Sequence, residues 1–414
     1  MKVLVLGAGV IGVTTAWYLA RAGHQVTVVD RQSAPAQETS QANGSQISVC
    51  HAEPWANPAA PLKVLKWLGQ EDAPLLWRWR ADPVQFAWGL RFLNECRPTR
   101  TKANIAALVG LGLYSRHCLG ELRDELALHY DEMRRGILHF YTDPAEFEHA
   151  IPQAALMRAY GCERLVKTPA ECLAIEPALR HSDIPVVGGT YTPDDESGDA
   201  RLFSEALLGH CLRLGVTFMP ERTISHLLTD GDRCSGVQLA DGTVLQADAC
   251  VVALGSYSPL LLRPLGVRIP VFPAKGYSLT LALPEGVEAP SVSLTDDGAK
   301  LVFSRLGQRL RIAGTAEFCG YDTRLNPARL QPLRQRTAAL FPQLRGLEEM
   351  HQWTGLRPAT PGNLPLLGAT RYRGLFLNTG HGTLGWTLAC GSARLLADLI
   401  DGRAPEVDPA PYQP

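Results

Sequence analysis

The sequence carries no excess of charge of either sign, because 40 Lys and Arg residues face 41 Asp and Glu residues, for a formal net charge of −1. A near-neutral chain without a basic stripe lacks the field that nucleic-acid binding requires, so we expect no nucleic-acid partner. It also lacks an apolar run of the roughly 18 residues that a membrane-spanning helix needs. Fixed-period repeats and low-complexity blocks are absent as well. What remains, with 46% apolar residues among 414, is a folded protein of two or three domains.

The ten cysteines form neither a C-x-x-C pair nor a Cys/His cluster at the spacing of a metal site. This distribution is typical of thiols in a reducing compartment, so we predict no metal centre. Met1 and Lys2 lead directly into the apolar run Val3–Leu6, which is needed as a strand, so we expect no secretory signal. The sequence therefore predicts a cytoplasmic protein that at most touches a membrane surface.

A dinucleotide-binding fingerprint opens the chain. Gly7–Gly12 has the pattern G-x-G-x-x-G between a predicted strand (Lys2–Leu6) and a predicted helix (Val13–Ala22). The glycines permit a tight turn and a close approach of backbone to pyrophosphate, whose charge meets the positive end of the helix. Asp30 ends the next predicted strand, 18 residues after Gly12, where a carboxylate holds the hydroxyl pair of a ribose. Strand, turn, helix and acid together predict a dinucleotide site.

A second G-x-G-x-x-G, Gly380–Gly385, lies between a predicted strand (Gly374–Asn378) and a predicted helix that starts at about Trp386. Only 29 residues follow it, too few for a second complete nucleotide-binding unit. We therefore predict that both ends of the chain build one discontinuous domain. The positive end of the last helix suits a ring that becomes anionic on reduction, which favours a flavin over a nicotinamide. A glycine turn used only for packing is the alternative.

Two further strings carry chemistry-bearing side chains. Arg357 lies in Trp353–Pro358, and its forked guanidinium suits bidentate binding of a carboxylate. Lys275 and Tyr277 lie in Pro273–Tyr277, at a predicted strand edge. Taken alone, both strings also fit structural roles, which for Arg357 would be an ion pair.

The segment 54–91 is unusually rich in tryptophan and in basic residues. Its members are Trp55, Trp67, Trp77, Trp79 and Trp88, interleaved with Lys63, Lys66, Arg78, Arg80 and Arg91. Aromatic and basic side chains meet in this way at lipid headgroups, but they also pack as a cover over a substrate entrance. We favour packing and keep a peripheral membrane contact as the alternative.

Together these strings resemble the FAD-dependent D-amino acid dehydrogenases, nearly end to end, from residue 1 to about 402. The resemblance rests on the fingerprint, Glu38–Ile47, Pro54-Trp55, Pro273–Ser278, Trp353–Pro358 and Asn378–Trp386. It implies an α/β fold, in which a discontinuous Rossmann-like FAD-binding domain is joined to an α+β substrate domain with a mainly antiparallel sheet. The FAD-binding domain is expected at 1–52, 194–265 and 350–402, the substrate domain at 53–193 and 266–349, and a loose tail at 403–414.

The resemblance also implies which residues hold non-covalent FAD. They are Gly7, Gly9, Val10, Ile11, Gly12, Asp30, Arg31, Thr39, Ser40, Asn43, Gly44, Gln46, Ile47, Gly255, Gly380, Gly382, Thr383, Leu384 and Gly385. It implies that Arg357 binds the substrate carboxylate and that Tyr277 is a second carboxylate or pocket contact. His51, Lys275 and His381 complete the predicted substrate pocket.

Two positions depart from the family pattern. Related oxidases carry a further Arg in the C-terminal glycine-rich turn, where this chain has Gly382–Leu384, so one carboxylate contact is missing. His51 stands where other dehydrogenases of the family have Tyr. We interpret His381 as a polar residue of a turn beside the cofactor, rather than as a base or a covalent link to flavin.

The activity that the resemblance implies is oxidative deamination of D-amino acids, with D-alanine as the first candidate. A hydride passes to flavin N5, and the electrons pass on to a membrane quinone or similar acceptor. One alternative is a secondary-amine enzyme acting on D-proline, hydroxy-D-proline or sarcosine. Others are a non-catalytic flavin-binding subunit and an NAD-dependent dehydrogenase that uses only the first fingerprint. The expected location is cytoplasmic, or peripheral on the inner face of the plasma membrane.

Overall fold

The computed structural model describes residues 1–67 and 69–414. Its α-helices are α1 (Val10–Arg21), α2 (Ala60–Trp67), α3 (Pro83–Glu95), α4 (Pro98–Leu126), α5 (Pro144–Ala159), α6 (Pro169–Ile175), α7 (Ala200–Arg213), α8 (Ser258–Leu262), α9 (Pro327–Leu340) and α10 (Gly385–Asp401). In the described ranges, none of these helices combines the length and the apolar character needed to cross a bilayer.

The β-strands complete the secondary structure. They are β1 (Lys2–Leu6), β2 (Gln25–Val29), β3 (Gln46–Ile47), β4 (Leu75–Trp77), β5 (Ile137–Tyr141), β6 (Leu165–Lys167), β7 (Gly188–Thr192), β8 (Glu196–Ser197), β9 (Thr217–Met219), β10 (Ile224–Asp230), β11 (Arg233–Leu239), β12 (Val244–Gln246), β13 (Ala249–Val252), β14 (Phe272–Ala282), β15 (Ser293–Asp296), β16 (Leu301–Leu306), β17 (Arg309–Phe318), β18 (Glu349–Ala359), β19 (Leu366–Ala369) and β20 (Leu375–Thr379).

A six-stranded sheet in the order β19-β20-β13-β1-β2-β9 forms the first layer. Its strands pair in parallel, except that β19 runs antiparallel to β20. The inner strands β1 and β13 are short apolar runs, and this composition suits strands that are covered on both faces. Since these strands come from three separate stretches of the chain, the sheet has the discontinuous construction that the sequence predicts.

A second, larger sheet has the order β18-β14-β17-β16-β15-β5-β7-β6, with β4 paired to β17. It is mainly antiparallel; β15 with β5 and β17 with β4 are the parallel pairs among its described strands. Helix α9 packs on one face over an apolar core that includes Phe303 and Phe341. The other face of this sheet forms a wall of the cavity described below. The predicted fold class is therefore confirmed.

Three details differ from the sequence-based domain plan. Helix α4, expected in the substrate domain, packs against α10 in the core of the first layer, because one side of it is apolar along most of its length. Strand β18, expected mostly in the FAD-binding domain, pairs with β14 in the larger sheet. The tail at 403–414 is not loose at its end, because Tyr412 is buried and its hydroxyl donates to the Ala107 carbonyl at 2.7 Å.

Candidate active site

One cavity of about 1010 Å³ lies between the fingerprint end of the first sheet and the larger sheet. It reaches from Asp30, past the fingerprint and the 39–46 loop, to Arg357 and the turn before α10. Open α/β sheets bind ligands outside the carboxyl ends of their strands, which is where this cavity begins. The residues predicted separately from the two ends of the chain therefore meet around one space.

The fingerprint turn is as tight as its glycines suggest. A Cβ on Gly12 would lie 1.8 Å from the Gly7 carbonyl oxygen, and Gly7 itself has φ +107° beside the Ala253 carbonyl. Helix α1 begins immediately after Gly9, so its positive end faces the cavity. A tight glycine turn at the positive end of a helix suits the pyrophosphate of a flavin dinucleotide.

Asp30 ties the end of β2 to the fingerprint. Its carboxylate accepts the Ala8 N–H at 2.6 Å and the Gln32 N–H at 2.8 Å. Burial is the larger influence on this group and raises the pKa of the carboxyl, while these two hydrogen bonds oppose it. The carboxylate lines the cavity and keeps unused lone pairs for a pair of ribose hydroxyls.

Most of the other residues predicted for FAD also line the cavity. They are Gly9, Val10, Ile11, Arg31, Thr39, Ser40, Asn43, Gly44, Gln46, Gly255, Gly382, Thr383 and Gly385. The wall of the cavity does not include Gly12, Ile47, Gly380 or Leu384. Gly12 and Ile47 lie behind the wall, where the first closes the turn and the second pairs with Glu196.

His381 is buried in the turn before α10 and lines the cavity, as predicted. Its Nε2 lies 3.0 Å from the Ser392 hydroxyl, and burial lowers the pKa of the imidazole to about 3. A neutral ring bonded to a helix side chain fits a polar residue of the turn. Helix α10 starts at Gly385, and its positive end faces the cavity.

Arg357 is a largely buried cation in the wall of the cavity. Its guanidinium lies across Gly276 and donates one hydrogen bond, to the Thr315 carbonyl at 2.8 Å. Among the described residues, no carboxylate pairs with it, and burial alone lowers its pKa to about 10. The remaining N–H donors face the cavity, so the site is built to receive an anion.

Thr315 owes its position to a β-bulge. The register of β14 on β17 shifts between the pairs Lys275–Glu317 and Tyr277–Gly314, and Thr315 adopts φ +54°, which is strained for a β-branched residue. This kink aims the Thr315 carbonyl at the Arg357 guanidinium. Sequence patterns gave no signal for Thr315, because a bulge depends on the register between two strands.

Tyr277 and Lys275 are placed differently from the prediction. Tyr277 lines the cavity with its ring, but its hydroxyl donates to Glu317, which also accepts from Arg78 at 2.9 Å. In this arrangement the hydroxyl is not free to bind a substrate carboxylate. Lys275 does not reach the cavity, because its ammonium donates to the Arg324 carbonyl outside it. We therefore keep the Tyr277 ring and remove Lys275 from the predicted pocket.

A polar cluster on the far side of the cavity was not predicted, apart from His51. His139 contacts the Asp297 carboxylate through Nδ1 at 2.9 Å, and the His51 ring stacks on it with 5.6 Å between ring centres. Tyr141 donates to Asp297 at 2.9 Å, and Lys300 lies 3.5 Å away. The cluster comes from elements far apart in the chain, so no local motif marks it.

Electrostatics sets the protonation states in this cluster. Burial, followed by the neighbouring His139, lowers the pKa of His51 to about 4. The pKa of Asp297 falls well below its ordinary value, because His139, Lys300 and His51 outweigh the opposing effect of burial. The three groups lie close enough to surround a metal ion. Arg164 and Lys300 already neutralise Asp297, however, so a divalent cation would meet two positive charges.

The family model for FAD dependent oxidoreductases matches residues 2–399. The D-amino acid dehydrogenase of Dechloromonas aromatica is 62% identical over 410 residues, covering 98% of both chains. That of Paramagnetospirillum magneticum is 56% identical over 404 residues, 97% of this chain and 96% of its own.

Solved structures share the fold. Glycine oxidase from Geobacillus kaustophilus superposes with a TM-score of 0.79 at 21% identity, covering 100% of this chain and 98% of its own. L-proline dehydrogenase from P. horikoshii superposes with a TM-score of 0.75 at 17% identity, covering 100% of this chain and 96% of its own. The full-length identity to the curated relatives shows more than the fold, and the chain therefore belongs to the D-amino acid dehydrogenases of the FAD-dependent oxidoreductase family.

Proposed function

We propose that this enzyme oxidises D-amino acids at Cα to 2-oxo acids and ammonia, using FAD held without a covalent bond. The observation that carries the substrate class is the largely buried Arg357 guanidinium, which faces the cavity and pairs with no carboxylate among the residues that the structure describes. The relatives' names supply the D configuration. D-Alanine is the simplest candidate substrate.

The protein's part in the reaction is orientation. Arg357 holds the substrate carboxylate in a fixed plane, since the Thr315 carbonyl pins one side of its guanidinium. The Tyr277 ring forms a wall beside it. FAD held by the fingerprint turn and the turn before α10 would supply the acceptor for the hydride of the substrate carbon. The imine product then hydrolyses in water, so the fold need not supply a nucleophile.

Product analysis tests this proposal. Purified protein incubated with D-alanine and an artificial electron acceptor should form pyruvate and ammonia in equal amounts, whereas L-alanine should give neither. Acid denaturation should release all the flavin into the supernatant. If D-alanine, D-proline and sarcosine all gave no product, the protein would be a flavoprotein without catalytic activity. Flavin retained by the denatured chain would contradict non-covalent binding.

We further propose that α2 and α3 rest on an anionic membrane on the cytoplasmic side, where a quinone takes up the electrons. The outer surface of the segment 54–91 and the following turn of α3 exposes large apolar side chains, namely Leu62, Leu65, Trp79, Val84, Phe86, Leu90 and Leu93. Lys63, Lys66 and Arg91 lie in the same two helices. The inner side of the same segment packs Trp77 and Trp88 on Phe318, which leaves its outer side for the proposed membrane contact.

Vesicle binding tests the membrane contact. The wild-type protein should co-sediment with vesicles rich in anionic lipid at low salt, and less so at high salt, because the basic side chains are screened. Leu90→Glu, at a side chain that is 71% exposed, should weaken binding without loss of fold. Leu212→Glu on the distant helix α7 is the control. Equal sedimentation of both variants, or none by the wild type, would refute the contact.

A further inference from the structure

Building on the proposed function, we propose that Glu53 selects D-amino acids that carry a long, positively charged side chain. Glu53 lines the same cavity as Arg357 and directly follows the segment that carries His51. In the part of the chain that the structure describes, its carboxylate has neither a hydrogen-bond donor nor a cation within contact distance. It is therefore an anion on the wall that still lacks a partner.

The nearby cations Arg164 and Lys300 lie 4.0 and 3.5 Å from Asp297, and neither forms an ion pair with Glu53 among the described residues. Arg164 donates to the Thr190 hydroxyl at 2.9 Å and, more weakly, to Tyr141 and the Cys50 carbonyl. Lys300 is directed at Asp297 and is about half exposed, so water screens its charge. Burial raises the pKa of the Glu53 carboxyl in spite of these cations, as expected for a carboxylate without a close partner. A cation brought by the substrate would fill this place.

The backbone that leads to Glu53 is anchored beside the cavity. The buried Asp195 carboxylate accepts the N–H groups of Val49 and Cys50, at 3.0 and 3.2 Å, and the Ser48 hydroxyl at 3.1 Å. These three bonds fix the short helical turn that leads to Glu53. Because this backbone is already ordered, little loop entropy is lost when a ligand binds beside it.

The separation of the two charged ends favours a long substrate. Arg357 lies on β18, whereas Asp297 and Lys300, whose charges act on the Glu53 carboxylate, follow β15, four strands away in the sheet order. At about 4.8 Å per strand, the two backbones are roughly 19 Å apart before sheet curvature and side-chain reach are subtracted. D-Alanine held at Arg357 would leave much of this distance unfilled. An extended lysine carries its ammonium several bonds toward Glu53.

The wall between the two ends suits an aliphatic stem. Tyr277, Val302 and Trp55 line this cavity and offer ring and methyl surface rather than hydrogen bonds. A lysine-like side chain would therefore bury its methylene groups along the wall and present its charge at the end. In this binding mode the substrate carboxylate contacts Arg357 and the side-chain ammonium contacts Glu53. D-Alanine can make only the first contact, and a simple cation can make only the second.

Two ligands that the enzyme cannot deaminate at Cα isolate the contribution of the terminal ammonium to binding. Hexanoate and 6-aminohexanoate share a carboxylate and a chain, and only the second has the terminal ammonium. We expect 6-aminohexanoate to bind the flavin-loaded wild type at least about tenfold more tightly, as a charge-assisted contact provides. Glu53→Gln should abolish this preference and leave hexanoate unchanged. Glu146→Gln, at an exposed carboxylate of the same cavity, should retain it.

Kinetics provides the second arm, with D-lysine and D-norleucine as the matched substrates. The ratio of their kcat/KM values should favour D-lysine in the wild type and fall by at least about tenfold in Glu53→Gln. Equal binding of the two carboxylates, or a preference that survives in Glu53→Gln, would overturn the proposal. So would an equal loss for both substrates, because that result would place Glu53 at the α-ammonium group. Oxidation of D-norleucine by the wild type would still uphold the proposed function in each case.

Discussion

Arg357→Met should raise KM for a D-amino acid by roughly tenfold to a hundredfold, because a charge-assisted contact of about 1.5–3 kcal/mol is lost. The flavin should stay bound, since Arg357 lies on β18 and not in the fingerprint. Stability without substrate should hold or rise, because the variant removes a desolvated charge that pairs with no carboxylate in the described part of the chain. Steady-state kinetics and thermal unfolding measure the two effects on the same preparation.

Arg329→Met is the matched control, since Arg329 is also a buried arginine in the second layer. Its guanidinium donates to the Glu71, Ala73 and Ala316 carbonyls, so it holds segments of the fold together. This variant should lower the unfolding temperature, and any change in KM should be smaller. If Arg357→Met instead destabilised the protein and left KM unchanged, Arg357 would be a structural residue.

Gly12→Ala should yield a protein without flavin. The added Cβ would lie 1.8 Å from the Gly7 carbonyl oxygen, and both atoms belong to the turn that must stay closed. Opening the turn moves the first N–H groups of α1 away from the pyrophosphate position. The visible flavin absorbance of the purified protein measures how much cofactor is bound.

Gly110→Ala is the control for this substitution. Gly110 lies within α4, and no heavy atom stands within 4 Å of a Cβ placed there. The control should keep its flavin and gain about 0.5–1 kcal/mol of stability, because alanine suits a helix interior better than glycine. A yellow, fully loaded Gly12→Ala protein would contradict the place given to the fingerprint.

The fold could be predicted where local rules and tertiary structure agree. The run from β1 through α1 to β2 has its own turn glycines, its own apolar periodicity and an acid at a set distance. The meander β10–β12 follows from Asp-Gly dipeptides at 230–231 and 241–242 between short alternating runs. In these stretches no distant contact is needed to determine the structure.

The orientation of a side chain could not be predicted where a residue far away in the chain binds it. The hydroxyl of Tyr277 is taken by Glu317, 40 residues away, and the Lys275 ammonium turns to Arg324. The tail could not be predicted from its prolines, because the buried Tyr412 packs against α4, some 300 residues earlier in the chain. The cluster of His51, His139 and Asp297 depends in the same way on pairing across the larger sheet.

Anaerobic addition of substrate to the yellow protein shows whether D-amino acids deliver electrons to FAD in this cavity. Without oxygen or another acceptor, D-alanine or D-lysine should bleach the flavin absorbance, while the L-isomers leave it unchanged. Arg357→Met should need higher substrate concentrations for the same bleaching. A flavin that stays oxidised with every D-amino acid offered, or that is bleached equally by both isomers, would contradict the account.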